Sequence, residues 1–220
     1  MDERNIDGVL SALRRDRPNW KDPVHGDGTE RRRERDPFRT LIGCVLSLRT
    51  KDETTEGAAE RLFAIAPSPE AMVRLRTAAI EKAIYPVGFY RNKARTVREI
   101  ARILIERHGG RVPDRMKELL ALPGVGRKTA NLVLIRAHDK AGICVDVHVH
   151  RIVNRWGYVA TRSPDETEAA LRAKLPRRHW KTLNGLLIVF GRQVCKPVSP
   201  FCSLCVVEAL CPRIGVTRSR

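Results

Sequence analysis

The chain has 220 residues, 42% of them apolar and 30% charged, and 42 Lys and Arg against 25 Asp and Glu leave a net charge of +17. That balance supports a core of ordinary size, in one domain or two small lobes, and excludes a disordered or collagen-like chain. No apolar run approaches the roughly 20 residues that span a bilayer, and the first 18 residues mix acids and bases where a secretory signal is apolar. A soluble cytoplasmic protein with no membrane partner is therefore expected. A pI near 10.4 favours a polyanionic partner, nucleic acid first, because Lys and Arg displace counterions from a phosphate backbone. A basic surface that is merely solvated is the alternative that composition leaves open.

Helical periodicity runs through nearly the whole chain and almost nothing alternates with period two, which predicts an all-α fold of about ten short helices. Val9, Leu10 and Leu13 make the first apolar stripe, and Phe38, Leu41, Ile42, Val45, Leu46 and Leu48 the second. Between them the segment Trp20–Asp36 lacks periodicity and reads as a loop or linker. Its Arg31, Arg32, Arg33 and Arg35 are either DNA contacts or a solvated charge run. A Pro67, Ser68, Pro69 turn parts the stripe Ala59, Leu62, Phe63 from Met72, Val73, Leu75. The stripe Val97, Ile100, Ala101, Leu104 closes at Gly109 and Gly110 before Pro113. Leu119 and Leu120 precede a break from Pro123 to Gly126, and Leu132, Val133 and Ile135 resume the pattern. After Ile152 and Val153, Ser163 opens a helix as its N-cap with Glu166 three residues on, and Leu183, Leu186 and Leu187 form the last stripe.

The stretch Leu119 to Ile135, LLALPGVGRKTANLVLI, carries the strongest signal. A helix stops at Pro123, Gly124-Val125-Gly126 makes a tight turn, and Arg127 opens a second helix. Two glycines around one apolar residue permit positive φ and close backbone approach, so the turn and the next helix's N-terminus can grip a phosphate. This is a helix-hairpin-helix pattern, shared by passive DNA binders and enzymes. Lys128 lies in the first turn of that second helix, beside Arg127, where the dipole and the neighbouring cation both disfavour its ammonium form. A lysine so placed is a candidate amine nucleophile for a sugar aldehyde carbon, or a simple phosphate ligand.

Asp146 follows Lys128 by 18 residues in the run ICVDVHVHR, and a carboxylate set among apolar residues calls for a partner or a function. It also suits the N-cap of a helix beginning at Val147, and one oxygen suffices for that. His148 and His150 read as packing or hydrogen-bonding residues rather than metal ligands, with His148 also taken as a DNA-contact candidate. Of the six cysteines, Cys44 and Cys144 are isolated, whereas Cys195, Cys202, Cys205 and Cys211 are separated by six, two and five residues. Four clustered thiols in a cytoplasmic chain hold a metal more often than disulfides, and both a 4Fe-4S cluster and a tetrahedral zinc suit them. The neighbouring Arg192, Lys196 and Arg213 make a second DNA contact reasonable.

LPGVGRKTA, VDVHVHR and the 6-2-5 cysteine spacing, in that order along nearly the whole chain, resemble the endonuclease III family of base-excision DNA glycosylases. The resemblance implies an all-α, two-lobed fold: a six-helix lobe over residues 30–140, and a second lobe from residues 1–29 and 141–220 that carries a 4Fe-4S cluster on the four cysteines. DNA is then held across the cleft with the damaged nucleotide flipped out. It implies that Lys128 is the Schiff-base nucleophile and Asp146 the catalytic aspartate, with Gly124, Val125, Gly126, Arg127 and His148 against DNA. Two positions depart from the family. Arg49 in LSLRTKD stands where relatives have a gap-filling glutamine, and Phe89 in VGFYRNKA where relatives have a leucine wedge. Arginine can bond a guanine edge or stack, which bears on the base opposite the lesion, and phenylalanine can still unstack a base step.

The activity implied is excision of oxidised pyrimidines with AP lyase cleavage, by a monomer acting on double-stranded DNA with damaged bases or abasic sites, in the cytoplasm at the nucleoid. A monofunctional mismatch or adenine glycosylase is the nearest alternative, and Lys128 argues against it. A non-catalytic iron-sulfur DNA-binding protein would leave the pairing of Lys128 with Asp146 a coincidence.

Overall fold

Residues 5–20 and 36–220 are described by the structure, a computed structural model. Among them regular structure is helical throughout, as the periodicity predicts. In chain order the helices are α1 (Ile6–Asp16), α2 (Pro37–Ser47), α3 (Asp52–Ile65), α4 (Pro69–Arg74), α5 (Thr77–Ile84) and α6 (Tyr90–His108). There follow α7 (Met116–Leu120), α8 (Arg127–Arg136), α9 (Val147–Arg155), α10 (Pro164–Lys174) and α11 (Trp180–Gln193). Apart from its two ends, the segment Trp20–Asp36 lies outside the described residues, and Arg31, Arg32, Arg33 and Arg35 with it.

The described chain forms two compact units, one of residues 36–142 and the other of residues 5–20 with Ile143–Arg220. In the first, α6 packs against α4 and α5, and α2 against α3 and α8. Its core draws on each stripe in turn: Leu41, Ile42, Leu62, Met72, Val97, Ile100, Leu104, Leu119 and Val133 are all fully buried. Truncating any one of these leucines to alanine should cost about 2–5 kcal/mol through lost burial and the cavity left behind. Leu48 and Leu120, both exposed, depart from the expectation. α2 ends at Ser47, and Leu48 is 37% exposed because the backbone turns to a positive φ at Arg49 instead of continuing the helix.

The stops and starts are local chemistry. Asp36 begins α2, its Oδ1 accepting from Phe38 N at 2.8 Å and Arg39 N at 3.2 Å, with Pro37 in the first helical position where no N–H is needed. Gly109 and Gly110 end α6 with positive φ, and Gly110 N donates back to Leu104 O at 2.9 Å.

In the second unit Val9, Leu10 and Leu13 of α1 join Val149, Ile152, Trp156, Leu183, Leu187 and Phe190 in one core. Trp20 and Trp156 pack on Phe190 with ring centroids 5.6 and 6.3 Å away. Ser163 caps α10 as predicted, its Oγ accepting from Glu166 N at 3.2 Å. Glu166 reaches back one residue further than a capping box requires, accepting from Arg162 N at 3.0 Å.

Candidate functional site

The hairpin turn in the first unit is built by its glycines. Gly124 has φ +73, and a Cβ there would sit 3.1 Å from Thr96 Cγ2, so both backbone and space favour glycine. Val125 between the glycines is buried and anchors the turn in the core, while Gly124 and Gly126 are exposed. Gly126 is the N-cap of α8 and offers no side-chain acceptor, so the first amides of α8 carry no capping side chain. Asn131, buried inside α8, donates to Arg127 O at 3.1 Å and holds the opening turn from within. Arg127 is half-buried and Lys128, the second residue of α8, is exposed. An exposed amine thus stands beside amides oriented as a phosphate requires.

Arg49 and Phe89 belong to the same unit and come together. Arg49 closes the turn after α2, Phe89 precedes α6, and both have left-handed backbones, with φ 53 and 58. Phe89 is 60% exposed, and the Arg49 guanidinium carbon lies 5.7 Å from its ring centroid. An exposed aromatic ring paired with a cation presents a flat stacking surface to solvent.

Asp146, in the second unit, is the N-cap of α9. Its Oδ1 accepts from both His148 N at 2.8 Å and Val149 N at 2.9 Å, so the cap engages one oxygen and Oδ2 takes no part in it. The residue is 9% exposed. His148 is half-buried against α11: its Nδ1 lies 3.2 Å from Arg151 Nη2, and a Cβ on Gly191 would come within 2.5 Å of the same atom. His150 Nδ1 pairs with Thr167 Oγ1 at 2.7 Å.

Cys195, Cys202, Cys205 and Cys211 line one recess, walled by Trp156, Phe190 and Val194. Burial pushes the Cys205 thiol up to about 11; the Val207 backbone opposes this, and Cys195, Cys211 and Cys202 add to it. Burial raises Cys211 as well. A bound metal would supply the charge that favours the thiolate form of such buried thiols. Among the described residues no three His, Cys, Asp or Glu are grouped as a single metal ion needs. Tetrahedral zinc draws its sulfurs to about 2.3 Å from one ion, whereas an iron-sulfur cluster spreads its ligands over several irons. Four thiol donors on one recess suit a 4Fe-4S cluster, which takes four cysteine thiolates.

Arginines brace the loop of Cys195. Arg155 donates to Lys196 O and Pro197 O, each at 2.6 Å, and Arg151 donates to Cys195 O at 2.9 Å. Sequence reading missed both, together with Asn131, because their partners are separated in sequence or lie inside a helix with no outward pattern. Of the basic residues expected around the cysteines, Arg213 is ion-paired with Glu208, and Lys196 stacks 4.9 Å over Phe201.

An all-helical fold with a glycine hairpin, a lysine beyond it, a capping aspartate and four thiols on one recess defines the class of helix-hairpin-helix proteins. The family model described as HhH-GPD superfamily base excision DNA repair protein matches residues 42–177, more than half of the chain. Endonuclease III of Thermotoga maritima is 49% identical over 179 residues, covering 81% of this chain and 84% of that protein. A non-covalent endonuclease III–DNA complex superposes with a TM-score of 0.83 at 33% identity, covering 97% of this chain and 96% of that one. A trapped endonuclease III–DNA covalent intermediate, an estranged-adenine complex, matches with the same score and identity over 97% of each chain. The chain belongs to the endonuclease III family. Among the described residues no helix is long and apolar enough to cross a membrane.

Proposed function

We propose that this enzyme, a base-excision DNA glycosylase with AP lyase activity, removes oxidised pyrimidines from double-stranded DNA and cleaves the strand through Lys128. The observation that carries the reading is α8 itself: an exposed lysine in the first turn of a helix whose N-terminus follows Gly124-Val125-Gly126 and has no capping side chain. The amides beyond the turn, with Arg127, hold the phosphate flanking the flipped nucleotide and so fix C1′ in front of the Lys128 amine.

The neutral amine attacks C1′, the C1′–N bond breaks, and the base departs with the electron pair of that bond. The sugar ring opens to a protonated imine. The imine acidifies C2′, loss of that proton expels the 3′ phosphate by β-elimination, and water then releases the lysine. Asp146 takes the proton from the ammonium or stabilises cationic charge at C1′, using the oxygen outside the cap. Phe89 wedges into the stack and Arg49 enters the gap, where its planar donors set the preference for the opposite base. His148 approaches the backbone from α9.

Cys195, Cys202, Cys205 and Cys211 would hold a 4Fe-4S cluster, which supplies the positive charge the buried thiolates need and a one-electron couple. Bound there, it would fix the C-terminal loop, and no step above passes through it. The protein acts as a monomer on DNA with damaged bases or abasic sites, in the cytoplasm at the nucleoid.

Borohydride trapping tests the reading, with one duplex carrying thymine glycol and another carrying an abasic site. A covalent protein–DNA adduct on both is expected. Base release without any adduct would assign a monofunctional glycosylase instead. Iron and sulfide analysis should give about four of each per chain, and stoichiometric zinc would overturn the cluster.

A further inference from the structure

Lys93 is a cation inside the α2–α8 unit, 7% exposed, and the proposed reaction does not use it. Its Nζ donates to Leu46 O at 2.7 Å, to Leu48 O, and to Thr50 Oγ1 at 3.0 Å. Three acceptors match the three N–H bonds of an ammonium. Two of them are carbonyls at the C-terminal end of α2, where orphan acceptors and the helix dipole both favour a cation.

The third acceptor links this site to a second turn. Thr50 Oγ1 also accepts from Gly88 N at 3.1 Å, and the two backbones approach so closely that a Cβ on Gly88 would lie 2.7 Å from Arg49 O. Lys93 itself sits in the first turn of α6, the helix that Phe89 precedes. One buried ammonium therefore ties the segment 46–50 to the segment 88–93. Among the residues these turns present to solvent are Arg49 and Phe89, each in a left-handed conformation that residues other than glycine seldom adopt.

We propose that Lys93 is a positioning residue: by binding Leu46 O, Leu48 O and Thr50 Oγ1 it holds the Arg49 turn against Gly88, and so sets Arg49 and Phe89 as a pair for entry into the duplex. The inference rests on the reading that these two side chains occupy the gap and the step beside it. Nothing in the sequence around Lys93, RNKAR, distinguishes it from a solvated helix lysine; its partners are 43 to 47 residues away.

The test uses the full-length, cluster-loaded protein. Single-turnover excision of thymine glycol is measured opposite each of the four bases, for wild type, Lys93→Met, Arg49→Ala and the double variant. 2-Aminopurine opposite the lesion reports unstacking of the orphaned base. Lys93→Met should shrink the ratio between the best and worst opposite base about tenfold, the scale on which a displaced positioning group acts, and the double variant should lose no more than Arg49→Ala alone. Borohydride trapping on an abasic site in single-stranded DNA, which has no gap to fill, should stay within about twofold of wild type.

A ratio preserved in Lys93→Met while Arg49→Ala lowers it would overturn the proposal, as would additive losses in the double variant. If Arg49→Ala leaves the ratio unchanged, the gap-filling reading of Arg49 fails first and the positioning role falls with it. Should Lys93→Met not fold, Thr50→Val removes the shared acceptor and should lower the same ratio about threefold, and an unchanged ratio there overturns the proposal equally.

Discussion

The N-termini of α8 and α9 solve one physical problem in opposite ways. Each leaves backbone N–H groups without intrahelical partners. At α9 the chain fills the vacancy itself, with Asp146 Oδ1 bonded to two amides. At α8 the cap is Gly126, which has no side chain to accept from the amides, and an anion from outside can take that part. A helix start that is satisfied internally orients a carboxylate, and one that is left open becomes a binding site. The two residues proposed for the chemistry, Lys128 and Asp146, are thus placed by the same feature used in two senses.

The largest effect expected from breaking this contrast is at Lys128. Lys128→Gln removes the amine but leaves the turn and its amides, so excision should fall by about 10³-fold or more while DNA affinity changes only about threefold. Parallel quench-flow and anisotropy measurements check this, and normal turnover by the variant would end the nucleophile assignment. Asp146→Asn comes next. Asparagine still accepts the cap bonds, so stability should be nearly unchanged while excision slows by about 10²-fold. Equal rates with a lowered Tm would reduce Asp146 to a cap alone.

Gly126→Asp would make α8 resemble α9. Gly126 has φ −92 and nothing within 4 Å of a built Cβ, so aspartate fits without strain. Its carboxylate should cap the first amides of α8 and stabilise the helix by a few tenths of a kcal/mol, while DNA binding weakens about tenfold. The slope of affinity against salt should drop by about one phosphate contact. Undiminished binding would show that phosphate does not use this terminus.

How much of this was legible in the sequence follows from where each interaction finds its partners. The apolar stripes, the hairpin, the Ser163 cap and the Asp146 cap are signals within a few residues, and the helices, the turn and both caps stand where those signals put them. Periodicity does not place Leu48, because the chain turns at Arg49 and the Leu48 carbonyl is bound by Lys93, 45 residues on. Asp36 read as the end of a basic loop, although an acid before Pro37 is a cap signal. Arg155, whose bonds span 41 and 42 residues, carried no local mark at all. Buried cations are the class a single sequence conceals, since Lys and Arg are by default read as surface.

The two units also differ in how their charges respond to pH, and this gives the smallest effect. In the unit of α1, Asp7 bonds Arg178 and His179, which hold its carboxyl at about 2 against an ordinary 3.8. A depressed carboxyl contributes stability above its unfolded value, and that contribution is lost as pH falls from 3.8 toward about 2. In the α2–α8 unit, burial lowers Lys93 to about 8 from 10.5. Here the sign reverses: the folded state releases the proton first, so the penalty is complete below pH 8 and is relieved as pH rises toward 10.5. Urea midpoints against pH should therefore show Asp7→Asn converging on wild type in acid. Wild type should gain on Lys93→Met between pH 8 and 10.5. Parallel curves for wild type and Lys93→Met across that alkaline range would mean that its three acceptors offset the desolvation completely.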